Sequence, residues 1–197
     1  MTEDAAYRAT ALGEAYAKIG RLPVTVLLDN VRSLYNVGSF FRTADAVRAE
    51  AIVVAGITPT PQDPRIAKTA LGAERTVPWS TAPSAAGAVE TLRARGCEVA
   101  AIETSLHAID LFDWRPRFPV CVVFGHEVDG ILPAILDRCD VHVRIPTLGS
   151  KGSINVATAG GVVLYELLRK YRGLIPGSKN PGLHHRRREP NPGEPQT

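Results

Sequence analysis

Residues 120–172 read VCVVFGHEVDGILPAILDRCDVHVRIPTLGSKGSINVATAGGVVLYELLRKYR, and their periodicity decides the fold. VCVVFG (120–125) is an unbroken apolar run with no polar alternation, which suits a strand covered on both faces. ILPAILDR (131–138) reads as helix and VHVRIP (141–146) as a strand that ends at proline. A Gly/Ser-rich loop then leads into INVATAGGVVLYELLRKYR (154–172), a long and mostly apolar closing helix.

The alternation extends towards the N-terminus. VTVLL (24–28), AIVVAG (51–56) and EVAAIE (98–103) read as strands. Helices are expected from about Val37 to Val47, around Arg65–Leu71 after the Pro-rich loop 58–64, and over 84–96, where Gly96 ends the last of them. Short apolar strands alternating with helices imply an α/β fold, a mostly parallel sheet flanked by helices on both faces. Residues 3–19 are Ala-rich and helix-forming, and the segment closes near Gly20 and Pro23. Beyond Gly173, Pro, Gly and charge replace apolar residues, so no packed structure is expected there. The chain therefore divides into an N-terminal helical extension (1–22), an α/β domain (23–173) and a basic tail (174–197).

Composition narrows the class without naming a function. The formal net charge is +3, with 45% hydrophobic and 22% charged residues, an ordinary globular balance. The tail holds Lys179, Arg186, Arg187 and Arg188 against Glu189 and Glu194. This leaves 19 basic and 18 acidic residues for the body, a balance that permits nucleic acid without demanding it. Cys97, Cys121 and Cys139 form no C-x-x-C pair, so neither a disulfide framework nor a zinc site is expected, and inert core thiols are. The opening MTEDAAYRATALGEAY has acids where a secretory signal would be basic, so a cytoplasmic location is expected.

Three segments follow strands, where open α/β sheets bind ligands. In Asn36-Val37-Gly38-Ser39-Phe40-Phe41-Arg42, Asn36 suits an N-cap and Arg42 a surface or functional cation. In Phe124-Gly125-His126-Glu127-Val128-Asp129-Gly130, glycines flank a carboxylate; a tight turn with solvated acids is the plain alternative, and His126 reads as a bystander. In Ile145-Pro146-Thr147-Leu148-Gly149-Ser150-Lys151-Gly152-Ser153-Ile154-Asn155-Val156, the loop backbone suits a flat polar ring such as adenine, while Ser153 and Asn155 could simply cap a helix. The dinucleotide fingerprint G-x-G-x-x-G is missing, and in GSKGS the lysine precedes the glycine, so a Walker loop fails too.

Taken together, N-x-G-x-x-x-R, F-G-x-E-x-x-G and I-P-x-x-G-x-x-x-S-[LI]-N-V resemble the three motifs of the SpoU family of RNA ribose methyltransferases, in order and approximate spacing, over roughly residues 22–172. The resemblance implies an α/β knot in which the C-terminal segment threads a deep trefoil, a feature no periodicity reveals. It implies S-adenosylmethionine as cofactor, held by Thr104, Gly125, Ile145, Leu148 and Ile154. It matches Arg42 to the family's catalytic arginine and Asn36 to the residue that helps place it. Glu127, Ser153 and Asn155 match positions lining the same pocket. No metal is required, because the reaction is displacement at a sulfonium methyl. The family proposal casts the arginine as general base; a guanidinium, with a solution pKa above ~12, is better suited to stabilising a developing alkoxide and gripping a phosphate.

Thr147 and Ala157 stand where the family more often has Met and Ser, which implies altered pocket detail rather than lost activity. About 22 residues precede the first strand, where larger members carry a substrate domain. RNA, transfer or ribosomal, is then expected to contact the surface of a homodimer formed through the knot region, the N-terminal helix and the tail. Two alternatives stay open: a catalytically silent RNA-binding or assembly protein on the same fold, and a knotted enzyme that methylates a base.

Overall fold

The computed structural model describes residues 19–175. The helix expected over 3–19 and the basic tail lie outside the described residues, apart from Ile19, Leu174 and Ile175. In chain order the elements are β1 (Leu22–Asp29), α1 (Leu34–Ala46), β2 (Ala49–Ala55), α2 (Ala67–Ala70), a 3-10 turn (Ala73–Arg75), β3 (Trp79–Ala82) and α3 (Ala85–Ala94). They continue with β4 (Glu98–Ile102), β5 (Ile109–Asp110), β6 (Val120–Phe124), α4 (Pro133–Leu136), β7 (Val141–Arg144) and α5 (Val156–Arg172).

The strands form one sheet in the order β3-β2-β1-β6-β4-β7-β5, and every pairing is parallel. All strand C-termini therefore open at the same edge. β6 is buried along its whole length, as its unbroken apolar run requires. Side chains alternate across the sheet. Val24, Val26 and Leu28 face Phe40 and Phe41 of α1 and Val163, Leu164 and Leu167 of α5. Leu27, Cys121 and Val123 face Ala88, Val89 and Leu92 of α3 on the other side. The Phe40 and Phe124 rings, 4.9 Å apart, join α1 to the end of β6. All three cysteines belong to the second cluster, and burial raises the pKa of each thiol, that of Cys139 to about 12, as expected of inert core thiols.

The boundaries differ from the sequence reading where polar residues set them. α1 begins at Leu34, three residues before Val37, because Ser33 is its N-cap and accepts from Asn36 N at 3.3 Å. Asn36 is thus inside the first turn rather than at the cap. α5 begins at Val156, with Asn155 Oδ1 accepting from Ala157 N (2.9 Å) and Thr158 N (3.1 Å). Helix 131–138 shrinks to one turn that starts at Pro133, and helix 65–71 ends at Leu71, whose φ is 53°. β3 and β5 are additional strands, the first mostly exposed and the second only two residues long. Lys170 anchors the segment after β5 to α5 through the carbonyls of Leu111 (2.6 Å) and Trp114. No helix among the described residues is long and apolar enough to cross a membrane.

Candidate active site

The C-terminal edge of the sheet opens into a cleft of about 1000 Å³. Its walls come from the end of β4 (Ile102 to Ser105), the end of β6 with its hairpin (Phe124 to Ile131), and the loop between β7 and α5. Apolar surface from Ile102, Phe124, Ile131 and Ile145 is interspersed there with the hydroxyls of Thr104, Ser105, Thr147 and Ser153, the mixture that suits a small polar-edged ring. Thr104, Gly125, Ile145 and Ile154 line this cleft, as do Glu127, Ser153 and Asn155. Asn36 and Arg42 are not among the lining residues, nor is Leu148, which is fully exposed. Arg42 is exposed on α1 and has no ion-pair partner among the described residues.

Hydrogen bonds join the three sequence segments. Asn36 Nδ2 donates to Glu127 Oε1 at 2.9 Å, and Asn155 Nδ2 donates to Asn36 Oδ1 at 3.1 Å. Glu127 also accepts from Arg32 N (3.1 Å) and Ser33 N (3.0 Å), so its carboxylate fixes the chain just before α1. Asn155 meanwhile caps α5 with its oxygen and uses its amide to reach α1. Partial burial pushes the Glu127 carboxyl up, but the bonds from Arg32, Asn36 and Ser33 together outweigh it and hold the group below the ordinary carboxylate range. Glu127 is thus an acceptor with its capacity spent on positioning, poorly suited to taking a proton. Ser153 is exposed at the cleft mouth.

Several contributors escaped the sequence reading. Thr58 Oγ1 donates to Leu28 O (3.1 Å) and accepts from Val31 N (3.0 Å), which fixes the chain leading to Arg32 and Ser33. Asp29, buried at the end of β1, accepts from Asn30 Nδ2 at 2.8 Å, and burial raises its pKa. Glu103, at the exit of β4, receives Thr104 N (2.8 Å) and Thr104 Oγ1 (3.3 Å) on one oxygen and Ile131 N (3.0 Å) on the other. Gly130 has φ 66°, and a Cβ there would meet Glu103 Oε2 at 2.4 Å, so the second motif's closing glycine makes room for this carboxylate. A charged residue ending the apolar run EVAAIE was the available signal for Glu103. His126 lines the cleft as well, and its Nδ1 accepts from Asp129 N (3.1 Å) and Val128 N (3.3 Å), which holds its own hairpin.

Comparison with known proteins agrees with this geometry. The family model described as the SpoU rRNA Methylase family matches residues 23–165. A 23S rRNA uridine 2′-O-methyltransferase of Streptomyces viridochromogenes is 34% identical over 161 residues, covering 77% of this chain and 56% of that protein. A 23S rRNA guanosine 2′-O-methyltransferase of Ralstonia nicotianae is 33% identical over 154 residues, covering 78% and 61% respectively. The chain thus spans less than two thirds of either relative. The structure of the AdoMet-bound rRNA methyltransferase of Sinorhizobium meliloti superposes with a TM-score of 0.71 at 29% identity, over 79% of this chain and 57% of that one. With the matched region enclosing all three linked motifs, the chain belongs to the SpoU rRNA Methylase family.

Proposed function

We propose that the protein is an S-adenosylmethionine-dependent RNA methyltransferase acting on a ribose 2′-hydroxyl of transfer or ribosomal RNA. The observation that carries this reading is the hydrogen-bonded chain Asn155–Asn36–Glu127, which unites the three family motifs beside one cleft. When bound, S-adenosylmethionine supplies an activated methyl group on a sulfonium sulfur. The cleft suits it in size and lining, and Thr104, Gly125, Ile145 and Ile154 would hold it through backbone and hydroxyl contacts, with Leu148 closing from outside. No metal is assigned to the reaction.

The remaining work falls to the chain's own residues. Asn36, Glu127 and Asn155 fix the start of α1 against the cleft, and Ser153 offers a hydroxyl at its mouth. Arg42, exposed two turns into α1, is assigned to the RNA: it grips the adjacent phosphate and stabilises negative charge as the 2′-oxygen loses its proton. Holding that oxygen in line with the methyl–sulfur axis supplies the orientational part of the rate.

A homodimer through the closing helix and the knot region belongs to the proposal, supported by the exposure of Val162 (37%) and Tyr165 (55%) on α5. So does threading of the C-terminal segment, and a cytoplasmic location beside the RNA. Comparing ribose-methylation maps of RNA from cells with and without the protein tests the proposal. One site, or a few, lost with the protein is expected, and unchanged maps contradict it.

A further inference from the structure

Among the described residues the cleft is lined by three acidic side chains, Glu103, Glu127 and Asp129, and by no lysine or arginine. Of these, Glu127 is occupied elsewhere, facing the start of α1, and Asp129 is exposed to solvent at the hairpin tip beside His126 Nδ1 at 3.0 Å. Glu103 differs from both. It is half-buried where β4 ends, and hydrogen bonds tie one oxygen to the neighbouring Thr104 and the other to Ile131 at the end of the hairpin after β6. Gly130 leaves the space it fills. The result is a fixed negative charge in a partly desolvated site, with acceptor capacity remaining on Oε2, which among the described residues receives only Ile131 N, while Oε1 already receives two donors from Thr104.

We propose that Glu103 is a specificity-determining residue, a clamped carboxylate that makes the cleft favour the positively charged sulfonium cofactor over its neutral thioether product, S-adenosylhomocysteine. This rests on the reading of the cleft as the S-adenosylmethionine site. The two ligands share adenosine and amino-acid parts and differ by one methyl and one positive charge. A carboxylate in the cleft wall attracts the first more than the second, with a Coulomb energy that grows as solvent is excluded. Loss of that attraction after transfer weakens the hold on the spent cofactor and assists its release.

The test is calorimetric titration of the full chain with each ligand for wild type, Glu103→Gln and Glu103→Asp, with thermal denaturation to monitor folding. Glu103→Gln removes the charge while keeping the shape, and should shift the preference between the ligands by roughly tenfold towards S-adenosylhomocysteine, the size of one partly screened charge interaction. Glu103→Asp keeps the charge on a shorter arm. It should hold the preference within about twofold even if both affinities fall, and it also covers the case in which Gln disturbs the links to Thr104 and Ile131. Equal loss of both ligands in Glu103→Gln, no change in either, or an equal shift in Glu103→Asp overturns the proposal. Wild-type protein that binds neither ligand instead removes the cofactor reading on which it stands.

Discussion

Glu127 is a carboxylate inside a family motif, and its environment argues for holding rather than for proton transfer. Its pKa is lowered in the folded chain, so the stabilisation it provides is fully present above the ordinary carboxylate value of about 4.5 and is lost as pH falls through the lowered folded value. Thermal denaturation of wild type and Glu127→Gln should therefore show a gap in Tm that is steady from neutral pH down to about 5 and closes below about 4.5. A gap independent of pH would mean that the charge is not what holds Arg32, Ser33 and Asn36. Arg42 has the opposite character, exposed and without an ion-pair partner among the described residues. Arg42→Ala should lower methyl transfer by about a hundredfold or more, the range for removing one charge-stabilising group, while leaving cofactor affinity nearly unchanged. Comparable turnover in the variant would take Arg42 out of the reaction.

At the level of elements, the motif glycine Gly38 places α1 against α2. A Cβ there would lie 2.8 Å from both Ile66 O and Thr69 Cβ, and one of those is backbone that cannot rotate away. Gly38→Ala gains up to about 1 kcal/mol of helix propensity but forces an overpacked approach that costs about 1–3 kcal/mol. A net destabilisation near ~1 kcal/mol, seen as a lower Tm or denaturant midpoint, is expected; unchanged or higher stability would contradict the close approach. Elements buried on both faces, such as β1 and β6, were legible in the sequence because burial imposes an apolar run. β3 and β5 were not, since an exposed edge strand and a two-residue strand carry no periodicity. The motif residues Asn36, Glu127 and Asn155 could be named in advance, but their mutual bonds could not, because they join positions 91 and 119 residues apart. Thr58 was hidden for the same reason, and of Glu103 only the charge at a strand end was legible, not its bond from Ile131, 28 residues away.

For the whole molecule, the proposed dimer predicts twice the monomer mass by sedimentation in an active preparation, and a monomeric active species would contradict it. The tail lies outside the described residues, yet Arg186, Arg187 and Arg188 form an uninterrupted basic run. Deleting Lys179–Thr197 should leave cofactor binding intact and weaken RNA binding. Each phosphate no longer neutralised changes the slope of log K against log salt by about 0.7 to 0.9, so three arginines alter it by roughly two units. Identical slopes would leave the holding of RNA to the body. The central claim is methylation of a ribose 2′-oxygen, and the most direct measurement is product analysis. RNA is incubated with the protein and labelled S-adenosylmethionine, digested to nucleosides and resolved by mass spectrometry. The account predicts label on the ribose, in a linkage that resists alkaline cleavage; label on a base, or none despite cofactor binding, would contradict it.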